Sequence, residues 1–498
     1  MIEHKDIFMY FIVNIYMNKN KSSLTFNAIL NMLKQACSIL FPLITFPYAS
    51  RVLGVESYGK YSFSNSIVSY FVLLAGLGIS TYAIREGARI RENEEKLSKF
   101  INEVFSINVV SSLLSIVLLT LLIIFWKKLH SYTMIIYIES LIIIFNMLGS
   151  DWINSIFEDY RYITIRYIII QILAIAPIFY FVNKPEDYLI YTFIIVLAGY
   201  GGNLVNILYI KKYVKRSFTW KLNLKRHMKP ILILFSTMVA VRIYLSSDIT
   251  MIGAITNNHE TGVYGAVSKI YTMSKELINA ITIVMVPRIS NLLQKRKFDE
   301  YNKLASFTLN SLLTLILPIT VGIVILSKDV IAIVNGKQYI SGYLSLIVLC
   351  IALPFAVMSC FYSNAILVPN RKEKYFLIST SCAALINIGL NLIFITKIGM
   401  LGAAFTTLIA EIIVFIMVRG ACVYQRLINV KYKFNNFISI ILGTLLIICV
   451  CILVKNNTQN ELLRVFLCIA ISGVVYFLIL KIFDNDLLRL IDFRKNKF

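Results

Sequence analysis

The sequence predicts an all-α integral membrane protein with about 14 transmembrane helices, arranged as two six-helix lobes followed by two C-terminal helices. Of its 498 residues, 58% are hydrophobic and 15% are charged, whereas soluble proteins carry roughly a quarter charged residues. The mean hydropathy of +0.75 agrees with this composition. The basic residues are also unevenly distributed along the chain, as they are when cytoplasmic loops alternate with outer loops. A soluble enzyme and a soluble nucleic-acid-binding protein are therefore excluded.

Each transmembrane span is predicted from an apolar run of about 20 residues, the length that crosses the hydrocarbon core of a bilayer. The loops between these runs are short, which leaves no room for an external catalytic domain. In chain order, the predicted spans are 26–48, 61–84, 100–125, 132–152, 162–182, 188–210, 230–255, 262–287, 304–327, 340–368, 375–396, 400–424, 434–454 and 462–482.

The spans divide the chain into segments. No cleavable signal peptide is expected, because residues 7–17 are apolar but too short to span and lack a small-residue cleavage site. Met17 offers an alternative start. The predicted segments are a cytoplasmic N-terminal segment (1–23), an N-lobe with helices 1 to 6 (24–211), a basic cytoplasmic linker (212–229), a C-lobe with helices 7 to 12 (230–425), helices 13 and 14 (426–483) and a cytoplasmic tail (484–498).

The net charge of +23 is explained by membrane topology. With the N-terminus placed in the cytoplasm, 35 of the 49 Lys and Arg residues fall on the cytoplasmic side and 10 on the outer side. Basic residues collect on the cytoplasmic side of membrane proteins, so this split predicts that both termini are cytoplasmic. The longest basic run, 211–229, is expected to lie on anionic lipid rather than to bind nucleic acid.

The linker separates two halves of six spans, and both halves enter the membrane in the same direction. This arrangement permits a parallel repeat about an axis along the membrane normal. A trace of such a repeat is present at an offset of 203 residues. The identities are Gly59 with Gly262, Tyr61 with Tyr264, Ile67 with Ile270 and Arg85 with Arg288.

No pattern of residues predicts a catalytic or metal centre. The eight Cys residues all lie in apolar runs, and none has metal-ligand spacing with any of the four His residues. We interpret the cysteines as small buried hydrophobic residues. A Gly-rich loop that could hold the phosphates of ATP is also missing. We therefore expect no cofactor and no enzymatic activity.

The first span carries a polar stripe that predicts a cavity lining. Asn27, Asn31, Lys34 and Ser38 follow one another at intervals of four, three and four residues, which places them on one helix face. A charged residue in the middle of a membrane helix costs about 2.5–3.5 kcal/mol on insertion scales, so Lys34 needs a reason to be there. The alternative is helix–helix packing through Asn and Ser, for which Lys34 is poorly suited.

Further charged residues lie in the seventh and eighth spans. Arg242 shares a face with Ser246, whereas Asp248 points elsewhere on the same helix and does not pair with Arg242. Lys269 and Glu276 are seven residues apart and so share a face. These residues are either interhelical ion pairs or the lining of a mildly cationic cavity. Such a cavity suits an anionic substrate, above all phosphate, and carboxylates beside the cations would allow proton coupling.

Several segments of this sequence resemble the polysaccharide flippase family (Wzx type) of the multidrug, oligosaccharidyl-lipid and polysaccharide exporter superfamily. The resemblance covers about residues 24–424. It is carried by RVLGVESYGKYSFSNSI (51–67), FEDYRYITIRYIII (157–170), DITMIGAITNNHETGVYGAVSKIY (248–271) and GLNLIFITKIGMLGAAFTTLIAE (389–411). These motifs are loose, but their order and spacing make the combination specific.

The resemblance implies a multi-pass protein of the bacterial plasma membrane that works by alternating access. It implies that undecaprenyl-diphosphate-linked oligosaccharide moves from the inner to the outer leaflet for O-antigen, capsule or similar glycan assembly. Coupling to a proton or sodium gradient is implied, and a polysaccharide polymerase and other pathway proteins are possible partners. Helix position and charge then select Lys34, Arg242, Lys269, Asn31 and Asn27 for substrate binding, and Asp248 and Glu276 for ion coupling.

The lipid tail of such a substrate stays in the bilayer, so the cavity needs a lateral opening. We expect this opening beside the first span, which Pro42 and Pro47 should bend. The nearest alternative function is a drug or cation antiporter of the same superfamily, whose first lobe should carry net acid. A glycan polymerase or ligase would need a large outer loop, and a membrane scaffold would not need Lys34 or Arg242 at mid-membrane.

Overall fold

The computed structural model describes residues 24–429 and 433–488, and within these residues the chain forms helices and no strand. The all-helical membrane fold predicted from composition is therefore confirmed. The N-terminal segment 1–23, Met17 included, and residues 489–498 of the tail lie outside the described residues.

Seventeen α-helices are present in the described residues. Short 3₁₀ segments join several of them, and π-helical turns at Leu197–Gly201 and Tyr362–Leu367 interrupt two. The α-helices are α1 (Leu24–Gly76), α2 (Ile79–Ile90), α3 (Glu94–Phe125), α4 (Thr133–Gly149), α5 (Asp151–Ile156), α6 (Tyr160–Phe181), α7 (Tyr188–Val196), α8 (Gly202–Tyr209), α9 (Leu224–Ile255), α10 (Asn258–Gln294), α11 (Phe298–Ile325), α12 (Ser327–Val334), α13 (Tyr343–Phe361), α14 (Glu373–Ile398), α15 (Met400–Tyr424), α16 (Phe434–Asn457) and α17 (Glu461–Ile482).

Thirteen helical stretches of the described residues are long and apolar enough to cross a membrane. The first, Leu33–Ile90, has 58 residues and would measure about 87 Å, nearly three times the thickness of the hydrocarbon core. It holds the first two predicted spans, because the helix breaks at Gly54 (φ 69°, ψ 175°). The remaining twelve stretches correspond one to one with the other predicted spans.

The junction of the first two spans differs from the prediction in detail. Residues 49–60, predicted as an outer loop, are helical on both sides of Gly54. The break falls at Gly54 and not at Pro42 or Pro47, which α1 carries inside its helical stretch. Only glycine adopts the dihedral angles of Gly54 readily, so this residue makes the turn between the two spans. A second break at Leu77 and Gly78, both with positive φ, separates α2 from the end of α1.

The basic linker is shorter than predicted. Helix α9 begins at Leu224, six residues before the predicted span, because the side chain of Asn223 accepts a hydrogen bond from the backbone N–H of Arg226. Such N-caps satisfy donors that the first helical turn leaves free. The non-helical part of the linker is therefore 214–223, and it crosses the end of the bundle from one lobe to the other. We call this the basic end and the opposite one the far end.

The two lobes contact each other through residues that occupy equivalent positions in the predicted repeat. A Cβ added to Gly59 would come within 2.0 Å of the carbonyl oxygen of Asn258. A Cβ added to Gly262 would come within 2.0 Å of the carbonyl oxygen of Val55. Gly59 and Gly262 are separated by 203 residues, as are Val55 and Asn258. Helices α1 and α10 therefore cross in direct backbone contact about a pseudo-two-fold axis.

Two side chains extend this symmetry at the far end. Lys128, after helix α3, donates to the carbonyl oxygens of Ala254 and Thr256 at the end of α9, each at 3.0 Å. Gln338, in the equivalent turn after α12, donates to the carbonyl oxygen of Arg51 at 3.2 Å. Ala254 and Arg51 are again 203 residues apart. Each lobe thus binds the end of the first helix of the other lobe, and the far end is closed.

Helices α16 and α17 pack on each other and on the C-lobe. Their contact surface contains Leu326, Ile447, Cys468 and Tyr476, all buried. The Tyr476 hydroxyl donates to the carbonyl oxygen of Thr314 on α11 at 2.7 Å. This pair of helices therefore lies beside α11 and α12, away from the crossing of α1 and α10.

Candidate functional site

Helix α9 presents one polar face to the N-lobe. Arg242, Ser246 and Thr250 follow at intervals of four residues and so lie on one side of the helix. Ser69 on α1 donates to the Ser246 hydroxyl at 3.4 Å, and Thr250 donates to the hydroxyl of Tyr70, also on α1, at 3.3 Å. The Arg242 charge acts on the same Tyr70. Arg242 therefore lies on the side of the C-lobe that faces the N-lobe.

Lys34 lies beside helix α6 of the N-lobe. Its Nζ atom lies 5.4 Å from the ring centre of Tyr167 on α6, where it forms a cation–π contact. The charge of Arg242 acts on another tyrosine of the N-lobe, Tyr200. Lys34 therefore lies beside Tyr167 within the N-lobe, and Arg242 faces the N-lobe from α9. Asn27 and Asn31 belong to the helical part of α1, but their side chains lie outside the described residues.

A third cation near Lys34 is one that sequence reasoning missed. Arg166 donates to both carboxylate oxygens of Asp151 at 2.7 Å and to Asn203 at 3.2 Å. The charges that act on Lys34 are those of Asp151 and Arg166. The Arg166 side chain is only 9% exposed, and its Nη1 atom has no hydrogen-bond partner among the described residues.

The sequence does contain a signal for Arg166. We predict the fifth span over 162–182, which includes Arg166, yet the topology count assigns this residue to a cytoplasmic loop. A cation five positions inside a predicted span should instead be treated like Lys34, as a charge that needs a partner. The partner could not be foreseen, because Asp151 lies 15 residues earlier and is brought close only by the turn at 157–159.

The cations inside the helical bundle fall into two groups. Among the described residues, Lys34, Arg242 and Lys269 form no ion pair. Three other cations of the described helices do have carboxylate partners, which is the usual arrangement for charges in a membrane. These pairs are Arg166 with Asp151 (2.7 Å), Lys275 with Glu411 (3.5 Å) and Arg464 with Asp329 (2.6 Å).

Lys269 and Glu276 are related as the seven-residue spacing predicts. Glu276 is the charged group that acts on Lys269, although the two do not form an ion pair. Lys275, on another face of α10, pairs with the buried Glu411, which also accepts a hydrogen bond from Tyr271 at 3.0 Å. The contacts of Lys269 lie along its own helix, so the structure does not bring it to Lys34 or Arg242.

Asp248 lies on the opposite side of α9 from Arg242, within the C-lobe. Its carboxylate accepts hydrogen bonds from Tyr264 at 2.8 Å, from Asn391 at 2.7 Å and from Thr407. The Asn387 amide lies next to this group, since its oxygen accepts from Asn391 at 3.1 Å. Four helices, α9, α10, α14 and α15, therefore meet around one carboxylate and several neutral oxygen atoms. Glu276 is exposed and is not part of this group.

The N-lobe contains its own buried carboxyl group. Glu139 on α4 is 1% exposed, and neither of its carboxyl oxygens has a hydrogen-bond partner among the described residues. Tyr61 and Tyr191 interact with it electrostatically. A carboxylate in such a position costs much free energy unless it is neutral or binds a cation. Glu139 is therefore an N-lobe acid that a cation antiporter could use.

The motif at 157–170 fixes the turn between α5 and α6. Glu158, with a positive φ of 58°, forms an ion pair with Arg91 at 2.7 Å. Asp159 accepts hydrogen bonds from Tyr209 and Tyr213 at 2.7 Å each. Burial opposes ionisation of Asp159, but these hydrogen bonds and one from Lys212 lower the pKa of its carboxyl group. The turn thus connects α6 to the end of α8 and sets the position of Arg166.

The family described as Polysaccharide biosynthesis protein matches residues 24–293, more than half of the chain. Two relatives are proteins named for O-antigen transport. The one from Escherichia coli (strain K12) is 25% identical over 411 residues, covering 80% of this chain and 96% of the relative. The one from Shigella dysenteriae is 23% identical over 357 residues, covering 70% and 87%.

Solved structures support the fold. The lipid II flippase MurJ, in an inward closed conformation, superposes with a TM-score of 0.75 at 20% identity, covering 93% of this chain and 99% of MurJ. An inward-facing multidrug resistance MATE family transporter of the MOP superfamily gives a TM-score of 0.57 at 16% identity, covering 83% and 98%. A flippase and a drug exporter thus share this architecture, so the fold alone does not decide between them. With more than half of its length matched, and with its membrane-spanning helices, the chain belongs to the polysaccharide biosynthesis protein family as a multi-pass membrane transporter.

Proposed function

We propose that this protein is a flippase that moves undecaprenyl-diphosphate-linked oligosaccharide from the inner to the outer leaflet of the bacterial plasma membrane for surface polysaccharide assembly. The observation that carries the proposal is the set of cations without carboxylate partners inside the bundle, above all Lys34 and Arg242. A lone charge in an apolar bundle is costly, and a dianionic diphosphate would neutralise both. Membership of the family and the names of the O-antigen transport relatives support the same substrate class.

In this proposal the diphosphate lies between the lobes. Lys34 on α1 acts as a point charge, and Arg242 on α9 offers its planar fork of donors. Arg166, whose charge also acts on Lys34, is paired with Asp151 and holds α6 in place behind the site. Asn27 and Asn31 precede Lys34 on one helix face and would bind sugar or phosphate oxygens. Lys269 on α10 would contact the substrate only after the lobes move.

The lipid tail remains in the bilayer throughout, so the headgroup enters and leaves through a lateral opening. We place this opening beside α1 because Lys34 lies on this helix. Half of the residues in the stretch 33–40 are exposed. Alternating access then consists of closing the basic end and opening the far end, with the lobes turning about the crossing of α1 and α10.

We assign ion coupling to Asp248. Its carboxylate and the amide and hydroxyl oxygens of Asn387, Asn391 and Thr407 form an oxygen-rich group of the kind that holds a proton or a sodium ion. The group joins four helices of the C-lobe, so binding or release of a cation there would alter how α9 packs. Glu276 is a second coupling candidate, exposed and beside Lys269.

Complementation with charge reversal tests the proposal. The chain is expressed in a strain that lacks its own flippase and carries the native glycan pathway of this protein, and surface glycan is measured at matched membrane levels. Lys34→Glu and Arg242→Glu should each abolish surface glycan. Lys397→Glu, on an exposed lysine of α14, should leave it intact.

Two results would contradict the proposal. If the parent chain fails with its own pathway supplied, the drug or cation antiporter becomes the better hypothesis, and Glu139→Gln should then abolish drug efflux. If the parent works and both reversals also work, the flippase function stands but the diphosphate binds elsewhere.

A further inference from the structure

A cleft of about 720 Å³ opens at the basic end of the N-lobe, away from the site between the lobes. It lies between the first turns of α3 and the linker that leads into α9. Lys96 and Lys99 line it from α3, Lys221 lines it from the linker, and Arg226 lines it from α9. All four side chains are exposed, and among the described residues none of them forms an ion pair. Four free positive charges therefore surround one concave surface.

The acid in the lining of this cleft is buried and contacts a histidine. Glu103 is 4% exposed and turns away from solvent toward the buried His227, whose Nε2 lies 2.6 Å from its carboxylate. The other ring nitrogen of His227 contacts the Tyr82 hydroxyl at 2.8 Å. This buried group also fixes the cleft, because it joins α2, α3 and the start of α9. The acids at the start of α3, such as Glu94 and Glu95, do not line the cleft.

The equivalent cleft of the C-lobe provides a comparison within the same chain. It has a volume of about 610 Å³ and lies between the start of α11 and the linker that follows α15. Both linkers are held alike: Asn102 accepts from the backbone N–H of Ser217 at 2.8 Å, and Asn302 accepts from that of Asn429 at 2.9 Å. However, among the described residues that line the C-lobe cleft, Arg426 is the one cation. Within the described residues, the four cations of the N-lobe cleft therefore have a single counterpart in the C-lobe cleft.

Aromatic residues place the N-lobe cleft at the membrane surface. Trp220 lines it and is 82% exposed, and Phe218, 41% exposed, packs edge-to-face on Trp220 at 4.8 Å. Exposed Trp at a helix end is typical of the interface between lipid and water. Basic pockets between transmembrane helices on the cytoplasmic side bind the headgroups of anionic lipids.

We propose that the cleft lined by Lys96, Lys99, Lys221, Arg226 and Trp220 binds the phosphate headgroup of an anionic phospholipid. The bound headgroup bridges α3 of the N-lobe and the start of α9 of the C-lobe, and so links the lipid composition of the inner leaflet to the packing of the two lobes. The inference does not depend on which substrate the protein carries.

Quenching of Trp220 fluorescence by brominated lipid tests the proposal. The full chain is reconstituted into vesicles of phosphatidylcholine and phosphatidylglycerol with bromine on one lipid at a time. The signal of Trp220 is the difference between the parent and Trp220→Phe. The parent should select phosphatidylglycerol over phosphatidylcholine near Trp220 by about tenfold or more, because each nearby Lys or Arg favours anionic lipid.

Two variants with equal loss of charge separate the cleft from the surface as a whole. The first replaces the four cleft cations with Gln and should lose the selectivity. The second replaces four exposed lysines outside the cleft and should keep most of the selectivity. Its substitutions are Lys211→Gln, Lys215→Gln, Lys225→Gln and Lys229→Gln. Equal loss in both variants, or no selectivity in the parent, would overturn the proposal. Loss of selectivity in millimolar inorganic phosphate, relative to chloride of equal ionic strength, would also overturn it in favour of a soluble anion.

Discussion

The cations inside the bundle differ in whether they have a carboxylate partner. Arg166 has a carboxylate at 2.7 Å, while Lys34 and Arg242 have none among the described residues. A paired charge contributes to folding, and an unpaired one is retained at a cost to folding. On this difference we propose a structural role for Arg166 and a substrate-binding role for Lys34, although the charge of Arg166 also acts on Lys34.

The structural role of Arg166 predicts a specific pattern of stabilities. Arg166→Met alone should lower the free energy of unfolding by about 1–3 kcal/mol, because it leaves Asp151 in the bundle without its partner. This expected loss is at the lower end of the range for buried ion pairs, because the Asp151 side chain is 35% exposed. The double variant Arg166→Met with Asp151→Leu should lose less than the sum of the two single variants.

Unfolding in mixed detergent micelles measures this double-mutant cycle. The control cycle uses Arg89 and Glu86, an exposed pair on α2 at 3.3 Å, for which the coupling should stay below about 0.5 kcal/mol. Equal coupling in the two cycles would mean that Arg166 is not held by Asp151, and its charge would then be available to the substrate.

The carboxylate of Asp248 predicts the dependence of transport on a cation gradient. Asp248→Asn keeps the shape and most hydrogen bonds of the group but removes the charge that a proton or sodium ion would neutralise. Transport measured in inverted vesicles should then become insensitive to the gradient of the coupling ion, while substrate binding persists. If transport by the Asp248→Asn variant still depended on the gradient, Glu276 or Glu139 would become the better candidate for ion coupling.

At the scale of the helix, glycine decides how closely α1 and α10 approach. A Cβ at Gly59 or Gly262 would meet a backbone carbonyl at 2.0 Å, and a backbone cannot move aside as a flexible side chain can. Gly59→Ala should therefore force the helices apart, with a loss of about 1–3 kcal/mol in the free energy of unfolding. Thermal unfolding in detergent measures the effect.

Gly389 provides the matched control for this prediction. It lies inside α14 with nothing within 4 Å of an added Cβ, so Gly389→Ala should be neutral or stabilise the helix by up to about 1 kcal/mol. If Gly59→Ala were as stable as the parent, α1 and α10 would not be in backbone contact at this point.

Much of the helical architecture could be predicted from the sequence, since apolar runs of about 20 residues are a strong signal. The start of α9 at Leu224 was missed because the first turn of this helix is polar and depends on the cap from Asn223. The helical residues on both sides of Gly54 were not predicted, because a glycine among charged residues is as typical of a loop as of a break between two helices.

The candidate site was predicted less completely than the fold. Lys34 and Arg242 stand out because they interrupt apolar runs, and neither forms an ion pair among the described residues. The surroundings of Asp248 could not be predicted, since Asn391 and Thr407 lie about 150 residues away and carry no charge. Contacts of this kind follow from the tertiary packing and leave no trace in local sequence.

For the whole molecule, the repeat explains how one chain can close either end. The far end is held by Lys128 and Gln338, which occupy equivalent turns and bind equivalent carbonyl groups of the opposite lobe. The Tyr339 hydroxyl adds a hydrogen bond to the carbonyl oxygen of Ser50 at 2.8 Å. These contacts are hydrogen bonds between neutral or singly charged groups, each contributing only about 0.5–1.5 kcal/mol or somewhat more when charged. If transport proceeds by alternating access, we therefore expect the far end to open without unfolding either lobe.

A crosslink across the far end should block this opening. A chain with Arg51→Cys and Gln338→Cys should be joined across the far end by a bifunctional thiosulfonate reagent, because the side chain of Gln338 reaches the backbone of Arg51. Surface glycan in the complementation strain should fall in proportion to the crosslinked fraction and recover when a reductant cleaves the link. The single variants treated with the same reagent should transport normally, which controls for reaction at the native cysteines. If the fully crosslinked protein still delivers glycan to the surface, the far end does not open during transport. The substrate would then have to pass along the outside of the lobes, and the unpaired cations between them would need another explanation.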